Sequence, residues 1–236
     1  KSLYTSINHE VGINACEYFL KRRPLCLYDH TQMLLKMIRF VLENNFFVFG
    51  QGYYRQKSGT AMGTCFTPSY ANLYMGWWEE QVAWSDKHEQ YMGHVLLWTR
   101  YIDDLFLIWD GDRSLAVEFL QLLNNPELNL HFTSKVSTTT VEFLDIRVEI
   151  VDKALTTCLF RKPTAGNSLL HASSAHPIPL KNSIPYGELI RTKRNCSEEP
   201  VFEKEKTEMI ERFRARGYKD KIINSAVDKA GKRSRS

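Results

Sequence analysis

Apolar positions along this chain change period several times, and each change marks an element. His9 to Arg23 carries apolar residues at helical spacing and stops at Pro24. Asp29, with Gln32 three residues on, predicts the cap of a second helix whose apolar positions are Met33, Leu34, Met37, Ile38, Val41 and Leu42. The runs NFFVF and YYRQK, separated by Gly50-Gln51-Gly52, read as a hairpin leading into a flexible loop at Ser58 to Thr64. Pro68 can open the next helix, which reaches about Gln81 and presents Tyr70, Leu73, Tyr74, Trp77 and Trp78.

Five-residue apolar runs, HVLLW and LFLIW, then flank Tyr101-Ile102-Asp103-Asp104, which predicts two buried strands with both acids at the tip of their turn. A helix from about Ser114 to Leu123 follows, closed by Pro126, and then three strand candidates, LHFTSKV, VEFLDIRVEI and LTTCLF. Beyond Lys162 the character changes to a loop holding Pro163, Pro177, Pro179 and Pro185, with helices expected at Tyr186 to Arg194, Phe202 to Arg216 and Lys219 to Lys229. Antiparallel strands mixed with helices argue for an α+β domain with its helices on one sheet face, over residues 1–164. A basic helical region, residues 165–236 with a short disordered tail, is expected as a second domain.

Composition supports a real core: 236 residues are 43% hydrophobic and 12% aromatic. No apolar run approaches the roughly 18–20 residues that span a bilayer, so an intracellular setting without membrane partners is expected. Five cysteines, Cys16, Cys26, Cys65, Cys158 and Cys196, are scattered without a CxxC pair, which indicates reduced thiols rather than a disulfide framework or zinc site. The net charge of +4 is uneven: residues 1–160 carry 14 basic and 18 acidic side chains, residues 161–236 carry 17 and 9. An acidic front suits cations and a basic rear suits a polyanion; a solvated helical surface is the plainer alternative.

Adjacent carboxylates backed by an apolar sheet can hold a pair of Mg²⁺ ions about 3.5–4 Å apart, the arrangement of two-metal phosphoryl transfer. An Asp-Asp pair alone is close to a chance event at this length, and an ordinary acidic turn is the alternative. The neighbours decide its weight. In order, the chain reads KSLYTSI, then QKSGTAMGTCFTPSYANLYMGWWE, then RYIDDLFLIW, then FLDI, and finally FRKPT with a trailing LL, SS and HP. This ordered set resembles the palm of reverse transcriptases, most closely the Penelope-like element branch, over nearly the whole chain.

The resemblance implies a polymerase-type palm followed by a helical, partly helix-turn-helix-like thumb. It implies RNA-directed DNA polymerisation with Mg²⁺ (Mn²⁺ as a substitute), an RNA template, a DNA primer and deoxynucleoside triphosphates, in the nucleus. Asp103 would be the metal ligand and Asp104 its acidic neighbour; Tyr4, Met62 and Gly63 would lie beside the incoming nucleotide, Tyr4 crowding the sugar 2′ position. Thr67, Pro68 and Asn72 are expected as scaffold. Family members place a further metal-binding aspartate five residues before the position of Tyr4, which falls ahead of Lys1, so little polymerase activity is expected of these residues alone. In the thumb, Arg161, Lys162, Arg191, Lys193 and Arg194 are the phosphate-contact candidates. His171 and His176 lack matched ligand partners and are expected in loop or packing roles. Nothing resembles the GIY-YIG endonuclease that often follows in this family. A non-catalytic remnant that binds nucleic acid is the competing expectation.

Overall fold

The computed structural model describes residues 3–24, 28–124 and 126–234, and it is α+β with small antiparallel sheets and a helical C-terminal part. Two compact units divide between Ser134 and Lys135.

The first unit is built around α4 (Thr67–Trp78). Tyr70, Ala71, Tyr74, Met75 and Trp78 recur at helical spacing and are buried, so one face of α4 forms the centre of the core. Against it pack α1 (Leu3–Ser6) and α2 (His9–Lys21), and α3 (Tyr28–Glu43) packs on α2. Asn8 caps α2 by accepting from the amides of Glu10 and Val11 at 2.9 and 3.3 Å. Helix α3 turns a different face inward from the one expected. Thr31, Leu35 and Leu42 are buried, while Met33, Met37 and Val41 join Phe40 on the outside. Asp29 lies within its first turn, and residues 25–27, Cys26 among them, fall outside the described residues.

Strands β1 (Phe46–Phe49) and β2 (Gly52–Arg55) form the expected hairpin, with Gly50 at φ +61° in its two-residue turn. Beyond α4 the coil widens into a π-helical turn, Glu79–Ala83, and a 3₁₀ turn, Asp86–His88, precedes α5 (Glu89–Met92). Strands β3 (Val95–Tyr101) and β4 (Asp104–Trp109) pair with Tyr101 opposite Asp104, and α6 (Arg113–Leu122) buries Phe119 in the same core.

No strand forms over residues 131–137. Phe132 instead drops singly into the core, 4.9 Å from the Trp78 ring, and its amide donates to Asn124 Oδ1 at 2.6 Å. The polar stretch behind it carries the chain from one unit to the next. In the second unit β5 (Thr140–Phe143), β6 (Ile146–Val151) and β7 (Ala154–Leu159) make a three-stranded meander. The run VEFLDIRVEI is thus a hairpin rather than one strand, turning at Leu144-Asp145 with Leu144 at φ +53°.

This sheet belongs with the helices, which is why the units divide ahead of the expected 164/165 boundary. Ser197 at the start of α8 (Glu199–Ala215) exchanges bonds with Thr157 of β7: its amide donates to the Thr157 carbonyl at 2.9 Å, and its Oγ accepts from the Thr157 amide at 2.9 Å. Helix α7 (Ile178–Asn195) begins eight residues before the expected Tyr186 and carries Pro185 inside it. Proline's fixed φ suits the helix, and only the bond to the Lys181 carbonyl is forgone. Helix α9 (Asp220–Gly231) completes the unit, and Leu189, Met209, Phe213, Tyr218 and Ile223 from the three helices and the α8–α9 turn form its core. Among the described residues, no helix is long and apolar enough to cross a membrane.

Candidate functional site

The acidic turn is a two-residue hairpin loop, Ile102-Asp103, with Asp104 opening β4. Ile102 sits at φ +57°, a region that β-branched residues avoid and that costs roughly 1–3 kcal/mol. Its side chain packs on the core, which is one anchor for that conformation. The second is Arg100. One terminal nitrogen, Nη1, donates to the Ile102 carbonyl at 2.9 Å and to Asn72 Oδ1 of α4 at 3.1 Å. The other, Nη2, donates to Glu79 Oε2 at 2.9 Å, and Nε stands 2.9 Å from Glu79 Oε1 in the same ion pair, off the line of a hydrogen bond. Trp98 Nε1 donates to that Oε1 at 2.7 Å.

Glu79 and Arg100 side chains are only 11% and 14% exposed, so this is a shielded ion pair whose free donor is spent on the turn. Asp103 and Asp104, in contrast, are exposed, and neither side chain makes a hydrogen bond or ion pair with a described residue. Two unengaged carboxylates on a braced turn can accept a hard cation. Among the described residues no group of three or more His, Cys, Asp or Glu side chains is gathered for a metal.

Of the residues expected beside the nucleotide, Tyr4 is bonded through its carbonyl to the loop that carries Met62 and Gly63. Thr60 N donates to the Tyr4 carbonyl at 2.6 Å and Gly59 N to the Ile7 carbonyl at 2.9 Å, so the Ser58–Thr64 loop is laced to α1. Gly59 has φ +72°, and a Cβ there would stand 2.4 Å from the Tyr4 carbonyl oxygen, so only glycine permits the approach. Thr67, buried at the start of α4, gathers the other side of the loop: its Oγ1 lies 2.9 Å from Thr60 Oγ1 and 2.8 Å from Thr64 Oγ1, and donates to the Ala61 carbonyl. Met62 is 61% exposed and does not pack beneath the loop; Gly63, at φ +89°, faces open space.

A cleft of about 510 Å³ opens beside this loop, lined by Thr5, Phe47, Arg55, Lys57, Thr60 and Met62 among others. Helix α4 ties loop and turn to each other. Thr67 holds the loop, and Asn72, which meets Arg100, lies five residues further, about 7.5 Å along the axis.

The phosphate-contact candidates divide. Lys162 and Arg194 are exposed without an ion pair to any described residue. Arg161 is committed to α8, donating to Glu205 Oε2 at 2.8 Å and lying 3.5 Å from Glu208. Arg191 pairs with Asp145 in the β5–β6 turn. Lys193 is built into the fold: buried, it reaches the carbonyls of Ala230, Gly231 and Arg233 at 3.2, 3.4 and 2.8 Å and closes the end of α9. His171 Nδ1 lies 2.7 Å from Ser173 Oγ, and His176 is exposed. Sequence reasoning missed Glu79 and Arg100. Their signal was a charge at the end of an aromatic-rich helix and another inside the apolar strand VLLWTRY.

Residues 168–228 match the family described as the Animal helix-turn-helix domain, about a quarter of the chain. The match spans α7, α8 and most of α9, and it suggests binding to nucleic acid. No curated protein and no solved structure matches the chain.

Proposed function

We propose that the chain is the palm and thumb part of an RNA-directed DNA polymerase of the Penelope-like kind, joining deoxynucleotides to a primer by two-metal chemistry. The observation that carries this reading is the Ile102-Asp103 turn, where two unengaged carboxylates ride on a hairpin braced by Arg100. Asp103, with Asp104, would supply oxygen ligands to Mg²⁺, which lowers the charge on the attacked phosphate and favours attack by the primer hydroxyl. The other ligand expected by resemblance is an aspartate ahead of the Tyr4 segment. Tyr4, Met62 and Gly63, gathered by the Thr60 and Thr67 bonds, would border the nucleotide. Template, primer and nucleoside triphosphates are the partners, and the nucleus the place, that this reading requires.

Mn²⁺ added to the chain should broaden the amide resonances of Asp103 and Asp104 before any others, and Asp103→Asn should remove the effect. Primer extension on RNA, by the protein carrying the expected upstream aspartate, should stop with the same substitution. Extension that survives Asp103→Asn would falsify the reading.

A second reading, a nucleic-acid-binding protein without catalysis, is favoured by the helix-turn-helix match. It calls for binding that falls steeply with salt, is indifferent to EDTA and proceeds without nucleotide incorporation.

A further inference from the structure

Helix α8 sets Glu205, Glu208 and Arg212 three and four residues apart, and Arg216 follows four residues later at its cap, so the four share one face. Arg161, just beyond β7, lies against the acidic end of that face: Nη1 is held by Glu205 and Glu208, and Nη2 is buried with no acceptor. The Nε atoms of Arg212 and Arg216 are buried without an acceptor as well. Three charged donors without a hydrogen bond in one unit is an uncommon cost for a fold to carry.

Their positions are fixed from behind. Asn167 Nδ2 donates to the Arg212 carbonyl at 2.9 Å and the Ala172 amide to the Arg216 carbonyl at 2.9 Å, so the loop after Arg161 braces both backbone positions. Burial, then the neighbouring charges of Arg161 and Arg216, hold the Arg212 pKa below its ordinary value, while Glu188 and Glu208 act the other way. Guanidinium groups that crowd one another are relieved by an oxyanion, whose several lone pairs accept from more than one fork.

We propose that Arg161, Arg212 and Arg216 form a binding site for a phosphate group. It rests on the nucleic-acid reading only for the source of that phosphate, a backbone phosphodiester. The carboxylates around it set its strength. Glu205 and Glu208 are engaged by Arg161, and Glu188 lies 3.9 Å from Arg191, so the ligand competes with half-satisfied acids and binds in a salt-sensitive way.

The test follows the arginine Nε–Hε resonances of the chain by ¹H–¹⁵N NMR during titration with inorganic phosphate and, separately, with a short RNA–DNA duplex. Saturable shifts of Arg212 and Arg216 are expected in both titrations, with the duplex displacing phosphate. Arg212→Lys and Arg216→Lys keep the charge and remove the Nε donor; each should weaken duplex binding at least about tenfold, with the fold checked by unchanged amide spectra. Phosphate shifts without duplex binding would assign the site to free phosphate and overturn the nucleic-acid source. No shift from either ligand, or lysine variants that bind as wild type, would overturn the site itself. Primer extension enters none of these readouts, so failure of the polymerase reading leaves this result to stand or fall separately.

Discussion

At the scale of single residues, Arg100 connects stability to the acidic turn. It neutralises Glu79 inside a nearly closed pocket and spends its remaining donor on the carbonyl of a strained isoleucine. Arg100→Gln leaves the Glu79 carboxylate shielded and unpaired, which should cost about 3–5 kcal/mol in chemical unfolding. Glu79→Gln with Arg100 retained should cost less, because the arginine keeps its contacts with Asn72 and Ile102. Amide exchange at Ile102 and Asp103 should rise in Arg100→Gln well beyond the rise elsewhere in β3 and β4. A uniform rise across the sheet would mean that the arginine supports only the fold. The link was hard to read from sequence because the partners are 21 residues apart, and neither charge carries a local signal of whom it meets.

At the scale of elements, the β3–β4 hairpin and the two hairpins of the meander turn on pairs of non-glycine residues: Ile102-Asp103, Leu144-Asp145 and Asp152-Lys153. The first was legible because a polar break interrupts two apolar runs. The second was not, since its only mark is the slip in alternation at Phe143-Leu144 within VEFLDIRVEI, and the bend offers no Gly, Pro or Asn. Helix α7 looks shorter in the sequence for the opposite reason, as Pro179 and Pro185 resemble loop residues but fit a helix that tolerates them. The inward face of α3 was legible only as a choice between two stripes, and the packing of α2 made it. Lys193 of α7 shows the same tertiary override, since a residue expected at phosphate closes the end of α9 instead. Lys193→Met should destabilise the second unit by about 1–3 kcal/mol and speed amide exchange in the last turn of α9. Unchanged exchange there would remove the capping role.

At the scale of the whole molecule, the buried acids on the two sides of neutrality are unequal. Burial pushes the Cys16 thiol up to about 11 and the Tyr74 phenol up to about 12, and it raises Tyr70 still further. These groups fold in neutral form, so the folded chain holds their protons more tightly than the unfolded chain does. Their contribution is complete below the unfolded values, about 8.5 for a thiol and 10 for a phenol, and is lost as pH rises through the folded ones. On the acid side the depressed carboxyls are Glu10, held low chiefly by its bond from Arg39, Glu80, held low by Tyr18 and then Arg22, and Glu142, held low chiefly by its bond from Lys135. All three are at the surface, where solvent screens the pair, so protonating them removes little. Stability measured by urea unfolding should therefore fall more between pH 9 and 11 than over an equal interval below the carboxyl range. Cys16→Ala should flatten the first part of that alkaline decline and leave the later, tyrosine-driven part in place. An alkaline slope identical in wild type and Cys16→Ala would show that the thiol titrates alike in both states, and that the α2–α4 packing around it opens to solvent well below the unfolding transition.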